Sequence, residues 1–436
     1  MIISDIKEFF SFLKPSNIKG WFDVENLFIN YFWLYTIDAF AYLVLNIHLI
    51  YSAIFPLVLY LMFFRHHLGK SINIIDLLWF LSLIWSVSTW FFNDYQQKPF
   101  LIIRCFTQEI AYMIAYWIVR YSERDYLQII INKASKPLVI TALIGLYCFF
   151  LEPSWYVNMI NEGYEQTFNR NSVDKESILE LYRLRSIFSS PYPLAYMGAY
   201  ALILEAFYFA KVNKNDVCLK NHIAFTILIV ITSVLCMMRA PLLGAIIGMV
   251  CSYIYNVKYM RGRILNRWVV YSICILITTI VIFTSSVDTS LVDFVISKVE
   301  VFGDKDNNFI EKRLFLGMQS LSLAGEGFGK YNIVAQYKFG LPSIADGEYM
   351  KIIAEQGFVG LGILLLVFVA GLIKSFANFK ILHLEFCILS MLMICMIGAN
   401  PLSTHNKHCF IFWLALGQVA RYKSKKYGNI TSIKKS

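Results

Sequence analysis

The chain is 436 residues long, 58% apolar and only 16% charged, with 36 Phe and 27 Tyr. That balance excludes a water-soluble globular domain, whose surface needs far more charge than this chain supplies. The formal net charge of +10 does not read as a nucleic-acid footprint, because the basic residues sit at the ends of apolar stretches instead of interleaving with aromatics in a polar domain.

Apolar stretches recur from end to end, several of them long enough to cross a hydrocarbon core of about 30 Å at about 1.5 Å per residue. They place spans at 27–43, 47–64, 74–92, 99–119, 137–151, 192–211, 222–237, 241–257, 267–284, 351–373, 381–398 and 407–421. The expected fold is an all-α integral membrane protein of about twelve transmembrane helices, one polytopic membrane domain over 1–436. The run from 27 to 64 reads either as two spans or as one span after an interfacial helix, and charge placement favours two.

With that count, 24 of the 39 Lys and Arg fall in short connections on one side, among them Arg65, Arg120, Arg124, Lys211, Lys258, Lys374 and the tail from Arg421. The positive-inside rule makes that side cytoplasmic, with both termini inside. A short apolar segment with a small-residue cleavage site is missing after the N-terminus, so the first span is expected to direct the chain to the membrane. Eight of the nine Cys lie within or beside spans, and no CxxC pattern or disulfide framework can be drawn among them. They read as packing residues, with no metal and no cofactor expected.

Two connections are long, 152–191 and 285–350, and both fall on the extracytoplasmic side, the larger one before the third-last span. Polar chain concentrated there is where function is expected. The first loop ends in a helical-looking SILELYRLR before Pro191. The second runs through GDKDNN, an amphipathic EKRLFLGMQSLSL, then AGEGFGKYN and LPSIADGEYMKIIAEQG. The AGEGFG run lacks the strand and βαβ context of a nucleotide cradle, so it reads as a turn.

Four stretches in and beside these loops resemble the superfamily of O-antigen polymerases and O-antigen ligases, glycan-transferring proteins of bacterial envelopes. They are RLRSIFSSPYPLAYMGAY, MMRAPLLGAIIG, EKRLFLGMQSLSLAGEGFGKYN and ADGEYMKIIAEQGFVGLGILLLV, together covering about residues 185–370. The resemblance implies an enzyme in the bacterial inner membrane with its site facing the periplasm. Its substrates would be undecaprenyl-diphosphate-linked oligosaccharides within membrane lipid, and its partners a chain-length regulator and a flippase. In ligases the last motif usually opens with a His acting as base. Here the corresponding residue is Asp346, and 285–350 contains no His, which favours a polymerase.

Transfer of a sugar from a lipid diphosphate needs cations for the departing diphosphate, and arginine provides bidentate, permanently charged donors. Arg185 and Arg313 are the residues the resemblance singles out, with Arg183 and Arg239 as further outer-face candidates; headgroup contacts or pairing with loop acids are their structural alternatives. The acceptor hydroxyl needs a base. Asp346 serves either as that base or as a helix N-cap, Glu348 either as base or as a first-turn acid, and His405, or less readily His408, either as base or as an ordinary loop histidine. Within the spans Arg104, Glu109, Asp38 and Glu205 mark either structural ion pairs or a cleft. The competing functions are an O-antigen ligase acting on lipid A core and a lipid-linked oligosaccharide flippase, the latter disfavoured because no repeated halves are visible.

Overall fold

In a computed structural model of the chain the described residues are 23–45, 51–65, 71–92, 106–158, 184–188, 190–211, 219–236, 238–259, 270–274, 277, 322–331, 344, 347–402 and 408–422. Among them the regular structure is helical, without strands. In chain order the helices are α1 (Val24–Ile29), α2 (Tyr31–Leu45), α3 (Tyr51–Arg65), α4 (Ile74–Ser88), α5 (Ala111–Tyr121), α6 (Tyr126–Leu151), α7 (Tyr192–Lys211), α8 (Leu219–Leu235), α9 (Arg239–Tyr259), α10 (Glu348–Ala377), α11 (Phe379–Gly398) and α12 (Phe410–Arg421). A 3₁₀ turn (Thr89–Phe92) continues α4, and a π turn (Phe106–Ile110) leads into α5.

Most helices begin and end within a few residues of the expected apolar stretches. Two depart from them: α5 starts at Ala111 where the expected span began at 99, with 99–105 outside the described residues, and α6 starts at Tyr126, where Asp125 accepts the Gln128 amide as N-cap, and carries Lys133, Lys136 and Pro137 inside the helix. The expected span 267–284 lies outside the described residues except for 270–274 and 277. Among the described residues, four helices are long and apolar enough to cross a membrane: Ile74–Phe91, Tyr126–Leu151, Glu348–Ala377 and Phe379–Gly398. Shorter apolar helices accompany them, at Phe55–Phe64, Lys220–Leu235, Arg239–Tyr255 and Phe410–Arg421.

The distribution of side chains on α4 inverts that of a water-soluble helix. Ile74, Leu77, Leu81 and Ile84 recur at helical spacing on its exposed face, whereas Asp76, Ser82 and Ser86 are buried against neighbouring helices. An apolar exterior around a polar seam is the arrangement a lipid solvent demands, because each uncompensated polar group costs several kcal/mol in hydrocarbon. Phe358, Leu365, Leu366, Val369, Ile373 and Phe376 make a similar exposed apolar surface on α10.

Close helix approach builds the interior. The principal pairs are α9 with α11, α5 with α12, α10 with α11 and with α4, and α7 with α9. Gly244 and Gly248 of α9 face Cys395 and Met391 and Ile203 so tightly that an added Cβ would lie 2.6 Å from the Cys395 sulfur and 2.3 Å from Ile203. Gly417 of α12 abuts the Tyr116 carbonyl of α5 in the same way. Small residues at such seams let backbones meet where water supplies no hydrophobic drive.

The two ends of the bundle carry different chemistry. At one end the start of α4 meets the ends of α5, α10 and α12: Asn73 Nδ2 and Lys374 Nζ both donate to the Ala420 carbonyl, at 2.9 and 3.0 Å, and an Arg421 guanidinium nitrogen donates to the Ser122 carbonyl at 3.0 Å. At the opposite end the start of α10 meets the end of α11 and the residues leading into α12, where Glu348 N–H donates to the Ala399 carbonyl at 3.1 Å.

Candidate functional site

The site is built around a break in α10. At Gly357 the backbone leaves the helix with φ 69° and ψ −172°, a conformation open essentially to glycine alone. The break separates a nine-residue segment, 348–356, from a twenty-residue segment, 358–377; the latter is about 30 Å long, matching one hydrocarbon core. The polar residues Glu348, Lys351 and Glu355 all belong to the short segment, and the long one is apolar apart from Lys374 and Ser375 near its end.

A break in a buried helix strands amides and carbonyls that need other partners. Here the glycine-rich segment 322–331 supplies them. Phe358 and Val359 N–H donate to the Ser322 and Leu323 carbonyls at 3.1 and 3.2 Å, and Glu326 and Gly327 N–H donate to the Ala354 and Glu355 carbonyls at 2.8 and 2.9 Å. Trp85 of α4 closes the remaining edge, its indole N–H reaching the Gln356 carbonyl at 2.9 Å while Ser86 Oγ meets the Gln356 side chain at 3.1 Å. The approach is backbone against backbone: a Cβ on Gly325 would lie 2.4 Å from the Glu355 carbonyl carbon, and one on Gly357 2.3 Å from the Leu323 oxygen. AGEGFG is therefore a turn, as its sequence indicated, but one that straps a broken helix.

Below the strap lies a buried charge cluster. Lys351 Nζ is 3.1 Å from Glu109 Oε1, 3.8 Å from Glu355 Oε2 and 3.9 Å from Glu348 Oε1, and all four side chains are at least 92% buried. Two of the carboxylates also anchor backbone. Glu355 accepts the Tyr331 N–H at 3.0 Å, and Glu348 accepts the Leu402 N–H at 2.9 Å. Glu326 receives both the Lys330 ammonium and the Tyr331 hydroxyl, while Phe328 of the strap packs on Trp90. One cation faces three carboxylates, a concentration of like charge out of water that structural ion pairs avoid and functional sites tolerate.

Arg185 occupies a second buried position, 6% exposed, in the turn before α7. Leu184 N–H donates to the Leu235 carbonyl at 3.0 Å, and Ser186 adopts φ 61° with its hydroxyl bonded to the Thr141 carbonyl. A non-glycine residue held left-handed costs about 1–3 kcal/mol and persists only where its surroundings enforce it. Tyr156 lies beside Arg185; burial pushes its phenol up to about 12, with Arg185 pulling the other way. Phe188 stacks on Tyr35 at 5.2 Å, and Tyr35 meets His408 edge-on at 5.5 Å. The Arg185 turn is thereby tied through rings to His408, at the residues leading into α12.

Of the residues singled out in the sequence, Arg185 and Glu348 are buried at this end of the bundle, and Arg239 is the exposed first residue of α9. Arg183, Arg313, Asp346 and His405 lie outside the described residues, as does Arg104. The N-cap position of α10 is Gly347, at φ 116°. Glu109 pairs with Lys351, Glu205 pairs with His222 at 2.7 Å, and Asp38 is buried near Tyr35. His408 is fully buried and stacked on Phe32 at 5.0 Å, far from an ordinary loop histidine. Sequence reasoning passed over Lys351 and Glu355; the signal available was two charges one turn apart in a stretch continuous with an apolar span.

No protein-family model matches this chain, and a search of curated proteins finds no match.

Proposed function

We propose that the chain is a surface-polysaccharide polymerase of the O-antigen type. It would transfer glycan from one undecaprenyl-diphosphate carrier to a repeat unit on another, at the periplasmic face of a bacterial inner membrane. The reading keeps about twelve spans, both termini in the cytoplasm, and 152–191 and 285–350 outside. One observation carries it: parts of all four stretches that resemble polymerases and ligases, distant in sequence, meet at one end of the bundle. The Arg185 turn binds the end of α8. Ala240, in the second stretch, accepts from Cys395 of α11 at 3.1 Å, and the residues after α11 hold Glu348. The third stretch is strapped onto the fourth.

In this reaction the acceptor oxygen bonds to the anomeric carbon, the bond from that carbon to the diphosphate oxygen breaks, and the acceptor proton passes to a base. Arg185, with Arg313, Arg239 and Arg183 as further candidates, would take the charge that grows on the diphosphate. Asp346, Glu348 and His405 remain the proposed bases; of these, Glu348 has one oxygen engaged by Leu402 and the other facing Lys351.

A carrier such as a lipid-linked oligosaccharide flippase is the second reading, favoured by the broken helix, since half-helix ends bind substrates in many transporters. Against it, the Phe358 and Val359 amides at the start of the second half-helix are already bound to Ser322 and Leu323, which leaves fewer donors there for an anion.

The test is complementation of cells lacking the chain with Arg185→Ala, reading surface glycan beside the amount of protein in the membrane. Loss of one charge-assisted contact predicts polymerisation slower on the order of ten- to hundredfold. A core bearing single repeat units supports a polymerase. A bare core with long polymer left on the carrier makes the chain a ligase, and unchanged ladders remove Arg185 from the site.

A further inference from the structure

Glu355 stands out because it is not paired as a simple ion pair would be. Its carboxylate is 1% exposed, one oxygen lies 3.8 Å from Lys351, and the other receives the Tyr331 N–H at 3.0 Å. Its own carbonyl accepts the Gly327 N–H. The same residue therefore grips the strap twice, by backbone at 327 and by side chain at 331. Tyr331 passes the restraint on: its carbonyl accepts the Ile344 N–H at 3.1 Å, and the Ile344 carbonyl accepts Asn400 Nδ2 at 2.7 Å. The segment that closes the long loop is thereby tied to the turn after α11, the turn that also holds Glu348.

We propose that Glu355 is a positioning residue. By clamping 322–331 across the break at Gly357, it holds the segment that joins the long loop to α10 against the bundle. Lys351 supplies the countercharge that keeps this carboxylate in place while Glu109 completes the pair. The strap is thus a fixed anchor for the loop, and the reaction proceeds only while it is seated. This role rests on the polymerase reading for what the loop does, though not for the seating itself.

The experiment separates the two. Leu323 and Phe358 are both exposed, one on each side of the strap's contact with the helix. In a Cys274→Ser background, Leu323→Cys with Phe358→Cys is treated in membranes with a short bis-maleimide, and internal cross-linking is read by peptide mass. We expect efficient cross-linking in the otherwise unchanged chain, at least a fivefold loss with Glu355→Ala, and retention with Glu355→Gln, which still offers an oxygen to the Tyr331 amide. Polymer formation should follow the same order, with a cross-link installed before the assay restoring it in any Glu355→Ala protein that reacts. Equal cross-linking in Glu355→Ala overturns the clamp. Lost cross-linking with intact polymer, or a cross-link that restores none, overturns its role in positioning. If the parent chain makes no polymer, the function fails while the cross-linking yields still decide the clamp.

Discussion

The Arg120 end and the Lys351 end of the bundle each bury a charged cluster, but they are put together differently. Asp76 receives Arg120 Nε at 2.9 Å and a terminal nitrogen at 3.0 Å, together with the Tyr116 hydroxyl, and Arg120 also donates to the Ser71 carbonyl at 2.9 Å. One acid answers one base, and the residues around them are regular helix closed by a capping box at Asn73. At the Lys351 end three acids face one base, and the helix carrying most of them is broken. Balanced charge in unbroken helix is what stability alone would produce; the excess charge beside irregular backbone is a cost that stability does not explain.

The comparison predicts its largest effect at the balanced end. Asp76→Ala leaves a 98% buried guanidinium without its acid, and breaking a buried pair from one side costs about 3–5 kcal/mol. Thermal unfolding in detergent should register this as a large loss of stability. Replacing both partners, with Asp76→Leu and Arg120→Met, should recover most of it, because the penalty comes from the uncompensated charge. If the double variant is as unstable as the single one, the pair is more than a structural contact and the contrast between the ends weakens.

Gly357→Ala comes next and acts at the other end. An alanine there must either hold a backbone conformation costing about 1–3 kcal/mol or straighten the helix. With its Cβ 2.3 Å from the Leu323 oxygen, it displaces the strap in either case. The expected outcome is a smaller loss of stability than Asp76→Ala but a nearly complete loss of polymer. Measuring both on the same protein sharpens the contrast: one end should govern stability, the other activity. A Gly357→Ala protein with normal polymer would dissolve it.

How much of this was legible in the sequence differs between the same two regions. Helix positions were, because runs such as 74–92 and 192–211 are apolar apart from one or two charged residues each. The start of α6 was not, because Lys133, Lys136 and Pro137 resemble a loop until Asp125 is seen to cap the helix. Glu109 drew notice as an intramembrane acid, but its base is Lys351, 242 residues away, and no local spacing reveals a partner at that range. The break at Gly357 was hidden within an apolar stretch expected to run unbroken, since Gly357, Gly360 and Gly362 in such a run all read as packing residues. Arg185 was found by resemblance, and its burial and strained neighbour Ser186 became visible only in three dimensions.

Asn73→Ala tests the frame of the Arg120 end more gently. Asn73 Oδ1 accepts the Ile75 and Asp76 amides at 2.9 and 3.0 Å, and its own N–H donates to Asp76 Oδ2 at 2.8 Å. Loss of such a cap costs about 1 kcal/mol, within a range of about 0.5–2. The lost Asn73 contact to the Ala420 carbonyl adds little, because Lys374 still donates there. Equilibrium unfolding should show a modest shift, with polymer formation unchanged.

Arg124→Ala should have the smallest effect. Its guanidinium pairs with Glu25, but that side chain is 61% exposed, and exposed pairs contribute about 0–1 kcal/mol after solvation and side-chain ordering are counted. What matters structurally at this position is the carbonyl, which accepts from Arg421 at 2.6 Å and survives the substitution. Glu25 also keeps the Tyr126 hydroxyl at 2.9 Å, so neither partner is stranded. A stability change within about 0.5 kcal/mol would place the strength of this end in the buried Asp76–Arg120 pair and the Asn73 cap. A loss comparable to that of Asp76→Ala would instead mean that the exposed Glu25–Arg124–Tyr126 layer holds α1 to α6, and burial would no longer distinguish the contacts that matter at this end from those that do not.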